Sequence, residues 1–159
     1  MTGLPNRLLL KDRVNQAILT SKRKGTFCGI LFIDLDRFKP INDTFGHEVG
    51  DKVLQIVAER LKKALREEDT ISRIGGDEFV ALIANLEKEK DVSSIAQKIV
   101  KILADSYVVN KHHLTCSASL GISFFPTGGN TFNELIRHAD LAMYKAKKEG
   151  GSRFSFYIP

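Results

Sequence analysis

Tryptophan is absent from this 159-residue chain, cysteine and methionine occur twice each, and proline four times. So few cysteines exclude a disulfide scaffold and a cysteine-rich zinc site. Cys28 and Cys116 lie in apolar, strand-like runs without metal-ligand spacing, and they read as buried free thiols. Long hydrophobic runs are missing too. The longest uncharged apolar stretch, Phe27 to Ile33, falls far short of the roughly 20 residues that cross a bilayer, and no signal peptide precedes it. The expectation is a soluble, cytoplasmic domain with no membrane contact of its own. There is no internal repeat and no low-complexity segment. Acidic residues are in deficit, and the net charge of +5 suits an anionic ligand such as a nucleotide. The basic residues are scattered over helices rather than gathered in a stripe with aromatics, which argues against nucleic-acid binding.

What is present is the composition of an ordinary globule, 43% hydrophobic and 27% charged. The length suits one domain over residues 1–159, able to bury roughly two-thirds of its unfolded surface. Its most informative stretch is Arg73 to Phe79. Ile71–Ile74 and Phe79–Ile83 read as strands, and Gly75-Gly76 between them, a dipeptide that admits positive φ, reads as a tight hairpin turn. Asp77 and Glu78 then stand at its tip. A solvated turn is one reading. A site for a metal and a phosphate, which needs hard oxygen ligands and close backbone approach, is the other.

The rest of the chain frames this hairpin. Thr2 to Arg7, with Met1, is turn chemistry leading into a helix that carries Leu8, Leu9, Val14, Ile18 and Leu19 to about Lys24, with no cap at its start. A chain that opens directly on a turn is expected to be excised from a longer protein. Phe27 to Leu35 is a continuous apolar run, the pattern of a central strand buried on both faces. It ends in Asp34-Leu35-Asp36, at the strand edge where open α/β sheets hold ligands. Alternation sends Asp34 and Asp36 to one face, where they are either cation-binding acids or N-cap acids for the next helix.

Pro40 predicts that this helix starts at about Pro40, with Lys39 extended before it and close to the carboxylates. Gly46 to Lys52 superficially suggests a phosphate loop, but its glycine spacing and the Asp51 before the lysine break the Walker pattern. Asp51 is expected to begin an amphipathic helix bearing Val53, Leu54, Val57, Leu61 and Leu65, either as a helix-end acid or as a base-reading carboxylate. Arg66 to Asp69 reads by itself as a solvated helix end. A charged loop at Glu87–Asp91, a helix at Val92–Leu103, a strand at Leu114–Phe125 and a Gly/Pro loop through Asn130 follow. Thr131 and Glu134 form a capping box for a helix to Lys148, Gly150-Gly151 ends it, and Phe154–Ile158 is a last strand. This order predicts a mixed α/β sandwich whose central sheet contains parallel and antiparallel pairs and is flanked by helices.

With these residues in place the chain resembles the GGDEF family, the diguanylate cyclases, over essentially its whole length. The matching pieces are Thr2 to Arg7, Asp34 to Asp43, Phe45-Gly46-His47, Gly50-Asp51, Arg73 to Phe79 and Ala139 to Lys147, in family order. The resemblance implies a palm-like nucleotidyl cyclase core with the hairpin at the active site. It implies an enzyme, a nucleotidyltransferase that condenses two GTP into cyclic di-GMP and releases two pyrophosphates. Asp34, the Leu35 carbonyl and Asp77 would hold two Mg2+ ions, with Mn2+ as a substitute. Asp77 would double as proton acceptor, with Glu78 beside it. Arg37, Phe38, Lys39, Gly75, Gly76 and Lys147 would hold phosphates, Asn42 and Asp51 would read guanine, and His47 matches a further substrate contact.

Arg66 and Asp69 form the R-x-x-D that the family places ahead of the hairpin as an inhibitory site for cyclic di-GMP. The reaction implies a homodimer, each protomer bringing one GTP. In the full-length protein, sensory domains would be fused, and the Asp34 to Pro40 wording resembles members with a phosphodiesterase domain downstream, so the whole could be membrane-anchored even though this domain is not. One departure stands out: the family's usual x-x-G-R-N after Lys147 is here Gly150-Gly151-Ser152-Arg153, so its arginine is missing or displaced to Arg153. The alternative reading is a non-catalytic module that binds cyclic di-GMP or GTP. A mixed cyclic GMP-AMP product is a third, against which Asp51 speaks.

Overall fold

The computed structural model describes residues 2–159; Met1, the first residue of the expected opening turn, lies outside them. Helix α1 (Arg7–Lys24) starts where the Asn6 side chain accepts from Leu9 N at 2.9 Å, so its beginning is capped after all. Strand β1 (Phe27–Leu35) is the run foreseen, and it forms the centre of the molecule. Its alternate side chains supply two cores. Leu31, Ile33 and Leu35 pack toward α3 (His47–Ala64) and α4 (Lys90–Ala104), among Val53, Leu54, Val57, Leu61, Ile99 and Leu103. Cys28, Ile30 and Phe32 pack the other way, against Leu10, Val14 and Ile18 of α1 and Leu135, Ile136 and Met143 of α5 (Phe132–Lys148). A strand covered on both faces needs no polar alternation, which is why its sequence is uniformly apolar until Asp34.

The main sheet also contains β2 (Thr70–Arg73), β3 (Glu78–Leu86), β6 (Ala118–Phe125) and β7 (Arg153–Phe156), in the order β2-β3-β1-β6-β7. Every pair is antiparallel except β6 with β7, so the sheet is mixed as expected. Helix α5 lies directly on β6, because a Cβ at Gly121 would overlap the Ala139 carbonyl and the Met143 amide. That close approach brings the C-terminal turn of α5 to the end of β1. Among the described residues, no helix is long and apolar enough to cross a membrane.

Several local expectations are corrected. Helix α2 (Phe38–Phe45) begins two residues before Pro40, so Lys39 is helical rather than extended. Proline is excluded only where a helix needs its amide as an i→i−4 donor, and Pro40 sits in the first turn, where no partner exists. Helix α3 starts at His47, not Asp51, with Gly46 at φ 91 breaking the chain between α2 and α3. The predicted strand Leu114–Phe125 is interrupted. A small separate hairpin, β4 (Tyr107–Val109) with β5 (His112–Leu114), turns on Asn110 and Lys111, both at positive φ, and residues 115–117 then lead into β6. The pair Asn-Lys lacks the glycine that marks such turns in sequence. Cys116 is buried in that link rather than in a strand, and both thiols are free.

Candidate active site

The C-terminal end of β1 and the turn between β2 and β3 form one unit. Asp34 pairs with Glu78 across the β1–β3 ladder, and Leu35 N donates to the Asp77 carbonyl at 3.2 Å. The turn is wider than the tight dipeptide hairpin predicted. Ile74 N and Gly75 N both donate to the Glu78 carbonyl, and neither Gly75 nor Gly76 adopts positive φ. A Cβ on Gly76 would meet nothing within 4 Å, so the space beside the turn is open. Arg73 braces the loop from within, its Nε donating to the Gly75 and Gly76 carbonyls at 3.0 Å each.

Asp34 and Asp36 are not N-cap acids. The N-cap of α2 is Arg37, in left-handed conformation with φ 56, and no side chain caps the helix. Asp34 continues the face of β1 that looks toward α5, and it meets Lys147 there, with Nζ to Oδ2 at 3.4 Å. Its Oδ1 is buried without a hydrogen-bond partner. Burial first, and the nearby Asp77 charge second, push the Asp34 carboxyl up to about 6, with Lys147 pulling the other way. Glu78 is also raised, by burial and by the charges of Asp140 and Asp77. Burial raises Asp140 itself. The two thiols are pushed to about 11 for Cys28 and about 12 for Cys116 by burial, which leaves both unreactive.

Asp36 has a different task. Its carboxylate accepts from Ser117 Oγ and Ser119 Oγ at 2.7 Å each and from Ser152 N at 2.9 Å, tying the end of β1 to the start of β6 and to the turn after α5. Gly151, at φ 73, is part of that clasp: a Cβ there would come within about 3 Å of the Asp36 carboxylate. A side chain at the position of the family's usual arginine is therefore disfavoured in this conformation. Arg153 folds back onto the same turn, its Nε donating to the Gly151 carbonyl at 3.1 Å.

Asn42 of α2 packs against α3 at Gly50, next in the chain to Asp51. A Cβ on Gly50 would overlap Asn42 Oδ1, so the amide lies against the bare backbone immediately before Asp51. His47 and Asp51 are exposed and Asn42 half-buried. Lys39 is exposed and makes no ion pair among the described residues; Lys147 is the cation beside the carboxylates.

Arg66 and Asp69 lie elsewhere, before β2, and engage each other. Arg66 Nε and its terminal nitrogen reach the two Asp69 oxygens at 3.2 and 3.0 Å, and the same guanidinium donates to the Ala84 carbonyl and pairs with Glu68. The hydrogen bonds to Asp69 raise the Arg66 pKa. The Asp69 side chain is 0% exposed, whereas Arg66 borders a cavity of about 360 Å³ with Asn85, Leu86, Glu87, Asp91 and Ile95.

Three features escaped the sequence reading: the Asp36 clasp, Gly50 as the seat of Asn42, and Asp140 beside Glu78. Asp140 had a legible signal, since it stands seven residues before Lys147 and so shares its helix face.

Comparison with known proteins follows the same lines. A family model described as "Diguanylate cyclase, GGDEF domain" matches residues 1–153. The bifunctional diguanylate cyclase/cyclic di-GMP phosphodiesterase MucR of Pseudomonas aeruginosa is 45% identical over 157 residues, covering 99% of this chain and 23% of that protein. Diguanylate cyclase TpbB of the same species is 39% identical, covering 96% and 36%. Cyclic di-GMP phosphodiesterase NbdA is 33% identical, covering 99% and 20%. The chain thus spans only about a fifth to a third of the length of these relatives. The crystal structure of the GGDEF domain of YfiN or TpbB from P. aeruginosa matches with a TM-score of 0.97 at 35% identity, covering 100% of this chain and 99% of that one. The mixed sheet flanked by helices is the palm-like cyclase core of such domains, and the chain belongs to the GGDEF, or diguanylate cyclase, family.

Proposed function

We propose that this domain is an active diguanylate cyclase that condenses two GTP into cyclic di-GMP with release of two pyrophosphates. One observation carries the reading: the Leu35–Asp77 main-chain bond gathers Asp34, the Leu35 carbonyl and the acidic turn at a single point. These groups fit a divalent cation. Asp34 Oδ1 is a buried anion atom with no partner, in a setting that disfavours its charge without a cation. Among the described residues no three His, Cys, Asp or Glu side chains form a ready cage, which suits Mg2+, an ion usually held by one or two carboxylates together with substrate phosphates. Asp34, Leu35 through its carbonyl, and Asp77 would hold Mg2+, two per active site with Mn2+ as substitute. Bound there, the metal would neutralise phosphate charge and favour ionisation of the attacking 3′-hydroxyl.

The chain's own residues supply the remainder. Asp77 accepts the 3′-hydroxyl proton, and Glu78, whose raised pKa suits a proton carrier, stands beside it. The backbone at Arg37 and Phe38, where α2 leaves its first amides free, and the cations Lys39 and Lys147 hold the phosphates, while Gly75 and Gly76 admit them. Asn42 and Asp51 together address the donor and acceptor edge that distinguishes guanine from adenine, with His47 nearby. Each protomer holds one GTP, so the reacting form is a homodimer. Product returns to the cavity beside Arg66, which reads a guanine edge or phosphate while Asp69 orients it. GTP as substrate supports a cytoplasmic location, and the greater length of the relatives supports one module of a longer signalling protein, with sensory and phosphodiesterase domains as the expected neighbours.

A second reading, a non-catalytic module that binds GTP or cyclic di-GMP, has its own support, because relatives named only as phosphodiesterases match over the same stretch. Incubation with GTP and Mg2+ separates the two. Cyclic di-GMP should form, with no mixed product when ATP is added. Wild type that binds GTP yet makes no product, even when fused to a dimerising coiled coil, would leave the second reading in possession.

A further inference from the structure

We propose that the Lys147 ammonium is the resident counter-ion of the metal-free site, and that it and a divalent cation exclude one another at Asp34 and Leu35. The inference rests on the metal-dependent cyclase reading and adds to the phosphate-binding role of Lys147. Nζ donates to the Leu35 carbonyl at 3.3 Å, lies 3.4 Å from Asp34 Oδ2 and 3.8 Å from Asp36 Oδ1. Two of the three groups assigned to the metal are thus engaged by one ammonium. A small divalent ion needs such oxygens at about 2.0–2.1 Å with strict directions, so it competes with the ammonium for the Asp34 carboxylate and the Leu35 carbonyl. At such separations their charges also repel.

The exchange has somewhere to go. Asp36 is locked by Ser117, Ser119 and the Ser152 amide, so its carboxylate stays in place whatever happens at Asp34. It already lies 3.8 Å from the ammonium and does not hold it when Asp34 is taken by metal. Lys147 stands in the last turn of α5 with a side chain 30% exposed, on a stem flexible enough to swing. The ammonium compensates Asp34 only in part, since Oδ1 keeps no partner. A cation that reaches both oxygens can therefore replace it. In the metal-free protein the lysine offsets part of the repulsion among Asp34, Asp77 and Glu78; once metal arrives, it is free for the polyphosphate.

Titration of nucleotide-free protein with Mn2+, followed by electron paramagnetic resonance, tests the exchange. Lys147→Met should bind Mn2+ on the order of tenfold more tightly than wild type, and bind GTP more weakly. A lysine that only grips phosphate would leave Mn2+ affinity unchanged. Wild type alone provides a second measurement, independent of how the variant folds. Acylation of lysines, read by peptide mass spectrometry with Lys145 and Lys148 as internal references, should rise several-fold at Lys147 when Mg2+ is added without nucleotide. Equal Mn2+ affinities or unchanged labelling, with Mn2+ bound, overturn the exchange and leave the cyclase reading intact. If neither protein binds Mn2+ without nucleotide, the exchange falls, while the cyclase reading, whose metal is held together with substrate phosphates, is decided by product formation from GTP.

Discussion

The amide of Leu35 donates to the carbonyl of Asp77 at 3.2 Å, joining the end of the central strand to the acidic turn by main chain alone. Because the bond involves no side chain, Asp77→Ala should keep the turn in place. We expect that variant to melt within about 1 kcal/mol of wild type, because the half-buried side chain is small, while cyclic di-GMP formation falls at least about 100-fold. Product chromatography beside a thermal melt checks both. A large drop in stability would mean that the side chain, not the amide, holds the turn.

Asp34 makes folding depend on pH. Its carboxyl is raised from 3.8 to about 6 by burial and by Asp77, so the folded chain favours the protonated form. The ionised group therefore destabilises the metal-free fold. That cost is absent below about pH 4, grows between pH 4 and 6, and is complete above about 6. Asp34→Asn should be more stable than metal-free wild type at pH 7.5, on the order of 1–2 kcal/mol, with the gap closing toward pH 4. Calorimetry across that range is the check, and a gap that widens on acidification would contradict it. The same protonation should weaken Mg2+ binding as pH falls through 6.

Gly50 tests the proposed guanine-reading role of Asn42 without replacing Asn42 itself. A methyl group at this position would overlap Asn42 Oδ1. Gly50→Ala should displace the amide and raise KM for GTP about tenfold or more, since misplacement by about 1 Å costs that much or worse. Discrimination against ATP should weaken in parallel. Steady-state kinetics with both nucleotides would show it, and an unchanged KM would remove Asn42 from the site.

At the second site, Arg66→Ala should abolish stoichiometric binding of cyclic di-GMP, measured by calorimetry. It should also cost stability, on the order of 2 kcal/mol, because Asp69 is fully buried and would lose its main partner. Arg66→Lys should recover part of the stability but little of the binding, because an ammonium cannot reproduce the two-pronged contact. Retained tight binding in Arg66→Ala would refute the product site.

Much of the architecture was legible because each sheet and helix pattern is local. β1 was readable to the residue, since a strand covered on both faces leaves a continuous apolar run. Thr131 was readable as the cap of α5, and its hydroxyl does accept from Glu134 N at 3.2 Å. The errors were also local and physical. Pro40 predicts a later start for α2 because the residue before a proline is biased toward extended backbone, a bias that the first turn of α2 overrides at Lys39. Asn110-Lys111 hid a hairpin because its second positive φ falls on a lysine, where glycine usually stands.

The sequence by itself determined the order of the elements apart from the β4–β5 hairpin, the family, and the placing of acids at the end of β1 and at the β2–β3 turn, since period, caps and motifs act over a few residues. Only the tertiary structure decided which groups meet. Lys147 reaches Leu35 across 112 positions, and Asp36 holds the Ser152 amide across 116. Those meetings depend on the strand order that puts β6 beside β1 and on the bare backbone of Gly121 that seats α5 against the sheet. No local pattern encodes them, because the contact energies that select a sheet order come from packing the whole core at once.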